Sequence, residues 1–167
     1  MRSFYLLVFL VLSGLSYGQR SHVAPENFNK EQKNVLRVVL NVFEAMRKSD
    51  STLLASCFVE NPDMYTAFTD RNGKAKLHKG NFRGFKNAVA SEKNQVWDEP
   101  VWDLKVDIDG DMAMAWMSYA FYLDNEMLHC GVDVMLLHRE NQQWKIYHIS
   151  DTRTTEGCDV PESLKKQ

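Results

Sequence analysis

Apolar and polar positions alternate along the chain in three regimes. The first is a run of nine apolar residues, Phe4 to Leu12, behind a single Arg2. It ends at Ser13-Gly14, and Ser16-Tyr17-Gly18 places small residues at the spacing of a signal-peptidase cut. The run is too short to cross a bilayer, which takes about 20 apolar residues. We therefore expect residues 1–18 to be a signal peptide. The mature chain would be secreted or periplasmic, with no membrane span after cleavage. Residues 19–28 read as a polar tail.

The second regime has helical period. Val35, Leu36, Val38, Val39, Val42, Phe43 and Met46 fall on one face of an amphipathic helix, with Asn29 and Gln32 placed as a capping box. Ser49-Asp50-Ser51 ends it and can cap a short second helix carrying Leu53, Leu54, Cys57 and Phe58. Asn61-Pro62-Asp63 reads as a turn, Met64 to Thr69 as a strand, and Phe82, Phe85 and Val89 as a third helix over about 81–93. The third regime has period two. Val101 to Ile108, Met112 to Leu123, Leu128 to His138 and Trp144 to Ser150 predict a meander, with turns at Asp109-Gly110, Asp124-Asn125-Glu126 and Glu140 to Gln143. Helices first and strands afterward predict an α+β domain over residues 29–153, followed by a polar tail over 154–167.

Composition narrows the function. The 20 Lys and Arg against 22 Asp and Glu give a formal charge of −2, and no basic footprint for nucleic acid. No phosphate loop, dinucleotide signature, GxSxG or metal-ligand spacing is present, so no cofactor or metal is expected. Export permits disulfides. The three cysteines leave two options open, a Cys130–Cys158 bridge or buried free thiols, and the latter is the default for each Cys taken alone.

VLRVVLNVFEAMRKSDSTLLASCF and the ending GVDVMLLHRENQQWKIYHISD, residues 131–151, together resemble the nuclear transport factor 2-like superfamily. It includes polyketide-cyclase-like and ketosteroid-isomerase-like enzymes, dehydratases and association domains. The resemblance implies a cone: a strongly bent mixed or antiparallel sheet wrapped around about three amino-terminal helices, with a central pocket. It also implies a homodimer through the outer sheet face. It does not imply one reaction.

Turn positions set strand parity. They predict Phe121 opposite His129, Tyr119 opposite Gly131, Asp133 opposite Ile149 and Met135 opposite Tyr147. One face then carries Met117, Tyr119, Phe121, His129, Asp133, Met135, Tyr147 and Asp151, a mixture of rings, thioethers and ionisable groups suited to a pocket. The other carries Trp116, Ala120, Leu128, Cys130, Val132, Val134, Leu136, Trp144, Ile146 and His148, and suits a seam to the helices or to a partner. His129, Asp133 and Asp151 are the catalytic candidates, because a carboxylate beside an imidazole on an apolar floor can move a proton near neutral pH. The same His129–Asp133 pair also suits a purely structural role. Tyr65, Met117, Tyr119, Phe121, Met135 and Tyr147 are the candidate ligand-binding residues. The expected function is binding of a small, largely apolar molecule. The alternatives are a proton-transfer enzyme (isomerase, dehydratase or cyclase-like) using the same pocket, and a dimeric interaction module without pocket chemistry.

Overall fold

The computed structural model describes residues 27–91 and 94–166. The expected signal peptide and most of the amino-terminal tail lie outside the described residues. Helix α1 (Lys30–Lys48) starts where the Asn29 side chain accepts from the Gln32 amide and the Gln32 side chain accepts from the Asn29 amide. It stops at Ser49, which takes a left-handed conformation. Asp50 then accepts from the Thr52 and Leu53 amides and opens α2 (Ser51–Cys57). Helix α3 (Phe82–Ala90) is capped by Asn81.

Seven strands follow the second helix: β1 (Phe58–Thr69), β2 (Ala75–Lys79), β3 (Trp97–Asp98), β4 (Val101–Asp109), β5 (Met112–Leu123), β6 (Glu126–Glu140) and β7 (Gln143–Arg153). They form one mixed sheet in the order β2-β1-β7-β6-β5, with β3 and β4 both pairing β5. The β1–β7 contact is parallel and the others are antiparallel. One sheet face packs on the helices. Val35, Val39, Val42, Phe43 and Met46 of α1 bury against Ala113, Ala115 and Met117 of β5, Met135 and Leu137 of β6, and Ile146 of β7. The helices thus cover the face that holds the mixed aromatic and ionisable residues. The opposite face turns outward, with Trp116 40% exposed.

Several local expectations are corrected. Asn61-Pro62-Asp63 lies inside β1, where a register shift between Phe58 and Asp63 absorbs the proline. In the β6–β7 ladder Asp133 lies opposite Asp151, not Ile149, and Met135 lies opposite Ile149, not Tyr147. A further shift between Leu136 and Leu137 leaves Tyr147 without a ladder partner and reverses parity beyond it. That bulge brings Trp144 and Ile146 into the helix-facing core, away from the face of Trp116. The carboxyl-terminal segment is not a free polar tail. A disulfide joins Cys130 of β6 to Cys158. Val160 is buried with Ala120, Tyr122 and Cys130 on the outer face, and Lys166 reaches Asp98 at 2.9 Å. Cys57 is a buried free thiol.

Candidate functional site

Between α1, α3 and the concave face of the sheet lies a cavity of about 450 Å³. Apolar side chains make most of its wall, among them Val42, Phe43, Met46, Phe85, Trp97 and Ile149. Its polar end gathers Glu99, Tyr119, His129, Asp133, Asp151 and Arg153 from four separate stretches of chain.

Ladder register explains the convergence. Tyr119 faces Gly131 and Met117 faces Asp133 across β5–β6, while Asp133 faces Asp151 across β6–β7. Thr66 of β1 pairs with Asp151. Directly paired residues share a face, so these side chains point the same way. Gly131 has no side chain for a steric reason. A Cβ there would lie 1.9 Å from the Thr152 carbonyl oxygen.

Asp151 is held by three donors. Thr66 Oγ1 donates to Oδ1 at 2.6 Å, the Tyr119 hydroxyl lies 3.1 Å from Oδ2, and Arg153 donates to Oδ2 through Nε at 3.2 Å and an Nη at 3.0 Å. The Tyr119 hydroxyl is also 3.0 Å from the Thr152 carbonyl. Burial, with the charges of Asp151, Asp133 and Glu99 behind it, keeps the phenol protonated by holding its pKa well above the ordinary value.

Asp133 is only 3% exposed, and its Oδ2 has no hydrogen-bond donor among the described residues. Burial pushes its carboxyl well above the usual range, and the neighbouring Glu99 and Asp151 charges push it further. Glu99 is raised by burial to about 7, against a lowering by its hydrogen bond with Asp133. The two carboxyls therefore share a proton, with Asp133 as donor and Glu99 as acceptor.

Glu99 was not among the residues the sequence singled out. It sits between β3 and β4, just before Pro100, and the proline hides the strand character of the segment. Trp97 opposite Leu123 and Val101 opposite Tyr119 carry the same register across the gap. The segment is pinned to the β5–β6 turn, where the Asp124 side chain accepts from the Val96 amide at 2.8 Å and the Asp124 amide donates to the Val96 carbonyl at 2.9 Å. The alternation Trp97-Glu99-Val101 was the signal available.

Of the other candidates, Tyr65, Tyr119, Phe121, His129, Asp133 and Asp151 all border the cavity. The Tyr65 ring, however, stacks on His148 at 5.7 Å, and its ladder partner Ser150 neighbours the inward-pointing Asp151. Tyr65 thus lends the rim its backbone more than its ring. His129 makes no hydrogen bond to Asp133 or Asp151 among the described residues. Its ring packs 5.2 Å from Phe121 and edge-on to Tyr119 at 5.8 Å. Burial, helped by the Arg153 charge, lowers it to about 4, so it is neutral at physiological pH. Met117 and Met135 are fully buried in the helix–sheet core and do not line the cavity. Tyr147, displaced by its bulge, stands beside His138 and also lies off the cavity. Leu128, assigned to the other face, borders the cavity because a second shift between Phe121 and Tyr122 turns it inward. Among the described residues no group of three or more His, Cys, Asp or Glu is arranged to hold a metal ion.

No family model matches the chain, and no curated protein matches it. Solved structures do. A nuclear transport factor 2-like protein of unknown function from Shewanella baltica superposes with a TM-score of 0.57 at 17% identity, over 78% of this chain and 100% of that one. A similar protein from Pseudomonas putida gives 0.60 at 13% identity, over 82% and 93%. A Novosphingobium aromaticivorans protein provisionally named scytalone dehydratase gives 0.60 at 14% identity, over 78% and 89%. At these identities the likeness carries the architecture and leaves the chemistry to the site. Helices, bent sheet and cavity together give this chain a cone-shaped α+β fold like that of these solved nuclear transport factor 2-like proteins.

Proposed function

We propose that this is an exported protein that binds one small, largely apolar molecule in the sheet–helix cavity. The observation that carries the reading is the cavity itself. About 450 Å³ of mostly apolar space closes at one end on Glu99, Asp133 and Asp151, the pattern of a ligand site with a few orienting polar groups. An apolar body would fill the space under α1 and α3, and a polar group would meet the carboxyl pair. Mass spectrometry of the protein purified under non-denaturing conditions is the direct test. A stoichiometric small molecule, lost on replacing Val42 with Trp, is expected. Empty protein that also takes up no apolar probe would overturn the reading.

A second reading, proton transfer, is favoured by one specific observation. Glu99 and Asp133 border the polar end of the cavity side by side, and burial raises Glu99 to about 7 and pushes Asp133 well above the carboxylate range, the pairing of a base with an acid that isomerases and dehydratases need. Glu99 would take a proton and Asp133 would donate a hydrogen bond to the charge that develops. Asp151, already engaged by Thr66, Tyr119 and Arg153, would hold Tyr119 in place. Exchange of a bound ligand's acidic C–H protons with deuterated solvent, abolished in E99Q, is the measurement that distinguishes turnover from binding.

The outward sheet face supports a homodimer. Trp116 lies there with Val134 and Leu136, only partly covered, and the carboxyl-terminal segment covers the adjoining part of the face. Light scattering should give twice the chain mass, falling to one chain mass in W116E. A monomeric wild type would remove this assignment.

A further inference from the structure

Among the described residues, each cation near the cavity pairs with a carboxylate other than Glu99 and Asp133. Arg153 is spent on Asp151, Lys79 on Asp63 at 2.9 Å, and Lys166 on Asp98 at 2.9 Å. Arg47 pairs with Glu44 and lies 3.9 Å from Asp98. Neutral His129 brings no charge. Among the described residues only Arg153 brings its charge to the Glu99–Asp133 pair, and it does so while bonded to Asp151; no cationic side chain pairs with Glu99 or Asp133 themselves, and the buried Asp133 Oδ2 lacks a donor. The surrounding wall is aromatic: Phe43, Phe85, Trp97, Tyr119 and Phe121 all border the space. The Trp97 and Phe121 rings meet edge-on at 5.9 Å beside Glu99.

Each ligand class meets this arrangement differently. An anion would meet the Glu99 charge in a low-dielectric space where Arg153 is already bonded to Asp151, and would be disfavoured. A neutral alcohol or ketone would leave the negative charge where it is. A cation would supply the missing donor to Asp133 and offset the charge, and ring faces attract cations within about 6 Å. Resting on the pocket-binding reading, we propose that the bound molecule carries a basic nitrogen. Its ammonium would sit against Glu99 and Asp133, with its apolar body among the rings of Trp97, Phe121 and Tyr119.

This assignment has a proton consequence. An ammonium prefers the doubly ionised pair, so binding expels the shared proton to solvent. Amine affinity then rises as pH increases through neutrality and falls only near the amine's own pKa of about 10. The groups facing the pair from other elements are Tyr119, His129, Asp151 and Arg153. Tyr119 stays protonated, His129 stays neutral, and Arg153 stays charged across that range.

Isothermal titration with 2-phenylethylamine and its neutral counterpart 2-phenylethanol separates the possibilities. At pH 8 the amine is expected to bind about tenfold more tightly or better, as a desolvated charge pair implies. The ratio should shrink at pH 6, and the heat should depend on the buffer's ionisation enthalpy in the sense of proton release. E99Q should bring the two probes to within about twofold. D133N provides the same comparison if E99Q fails to fold, and the wild-type pH dependence and proton release need no variant. Equal binding of both probes by the wild type, or amine binding without proton release, would overturn the basic-nitrogen assignment while leaving the pocket-binding reading intact. Failure of both probes to bind at millimolar concentration would count against both.

Discussion

Asp133 and Asp151 stand directly opposite one another across β6 and β7, both facing the cavity. Like charges so placed repel, and the site resolves this by treating the two carboxyls differently. Asp151 takes Thr66, Tyr119 and Arg153 as donors. Asp133, buried and without such donors, keeps a proton and shares it with Glu99.

The Glu99 contribution to stability should therefore fall as pH rises through its titration. Its pKa is 4.5 in the unfolded chain and about 7 in the fold, so the folded state binds more protons between those values. The loss is fully developed above about pH 7 and is on the order of 3 kcal/mol for Glu99 alone. Urea denaturation from pH 4.5 to 8 should show E99Q losing most of this decline. An unchanged slope in E99Q would remove the shared proton from the account.

His129 acts in the opposite sense. Its folded pKa of about 4 lies below the ordinary 6.5, so the unfolded chain binds the extra proton. Its contribution is present above about pH 6.5 and is lost as pH falls toward 4. The two groups oppose each other in the intervening window, which predicts a flattened pH profile for the wild type. H129F should tilt that profile toward acid stability, whereas E99Q tilts it the other way. Parallel curves for the two variants would contradict both assignments.

Gly131 should tolerate no side chain. The Thr152 carbonyl that its Cβ would strike is backbone, and it is also the second acceptor of the Tyr119 hydroxyl. G131A should cost about 3 kcal/mol, as forced overpacking does, and should perturb the near-ultraviolet signal of the site's tyrosines. A loss below about 0.5 kcal/mol, within the range of an ordinary surface substitution, would show that β7 can move freely.

Cys130 and Cys158 close a loop with a sequence separation of 28. On loop entropy alone, C158S should lower stability by about 3–4 kcal/mol. It should also release the segment around Val160 and Lys166 from the outer face, read as faster proteolysis beyond Arg153. Equal proteolysis rates would mean that the apolar contacts of Val160 hold the segment unaided.

The amphipathic first helix, its capping box, the Ser-Asp break and the order of the long strands were legible in the sequence. They rest on local rules: side-chain period, cap chemistry and turn residues. The pairings Tyr119 with Gly131 and Phe121 with His129 followed from the β5–β6 turn; the shared face of the two aspartates came from the β6–β7 turn, where the face was right although the register was off by two residues. Tertiary structure alone decided the rest. Bulges at Leu128 and Tyr147 exchanged inner and outer residues, because a one-residue shift reverses a strand's faces and no local signal announces it. Met117 and Met135 were consumed by packing against α1, since a face shared with the site is not yet contact with its cavity. Glu99 is the clearest case. Its role comes from a partner far along the chain, and only the folded sheet brings its carboxyl to Asp133, where burial disfavours the charged form of both.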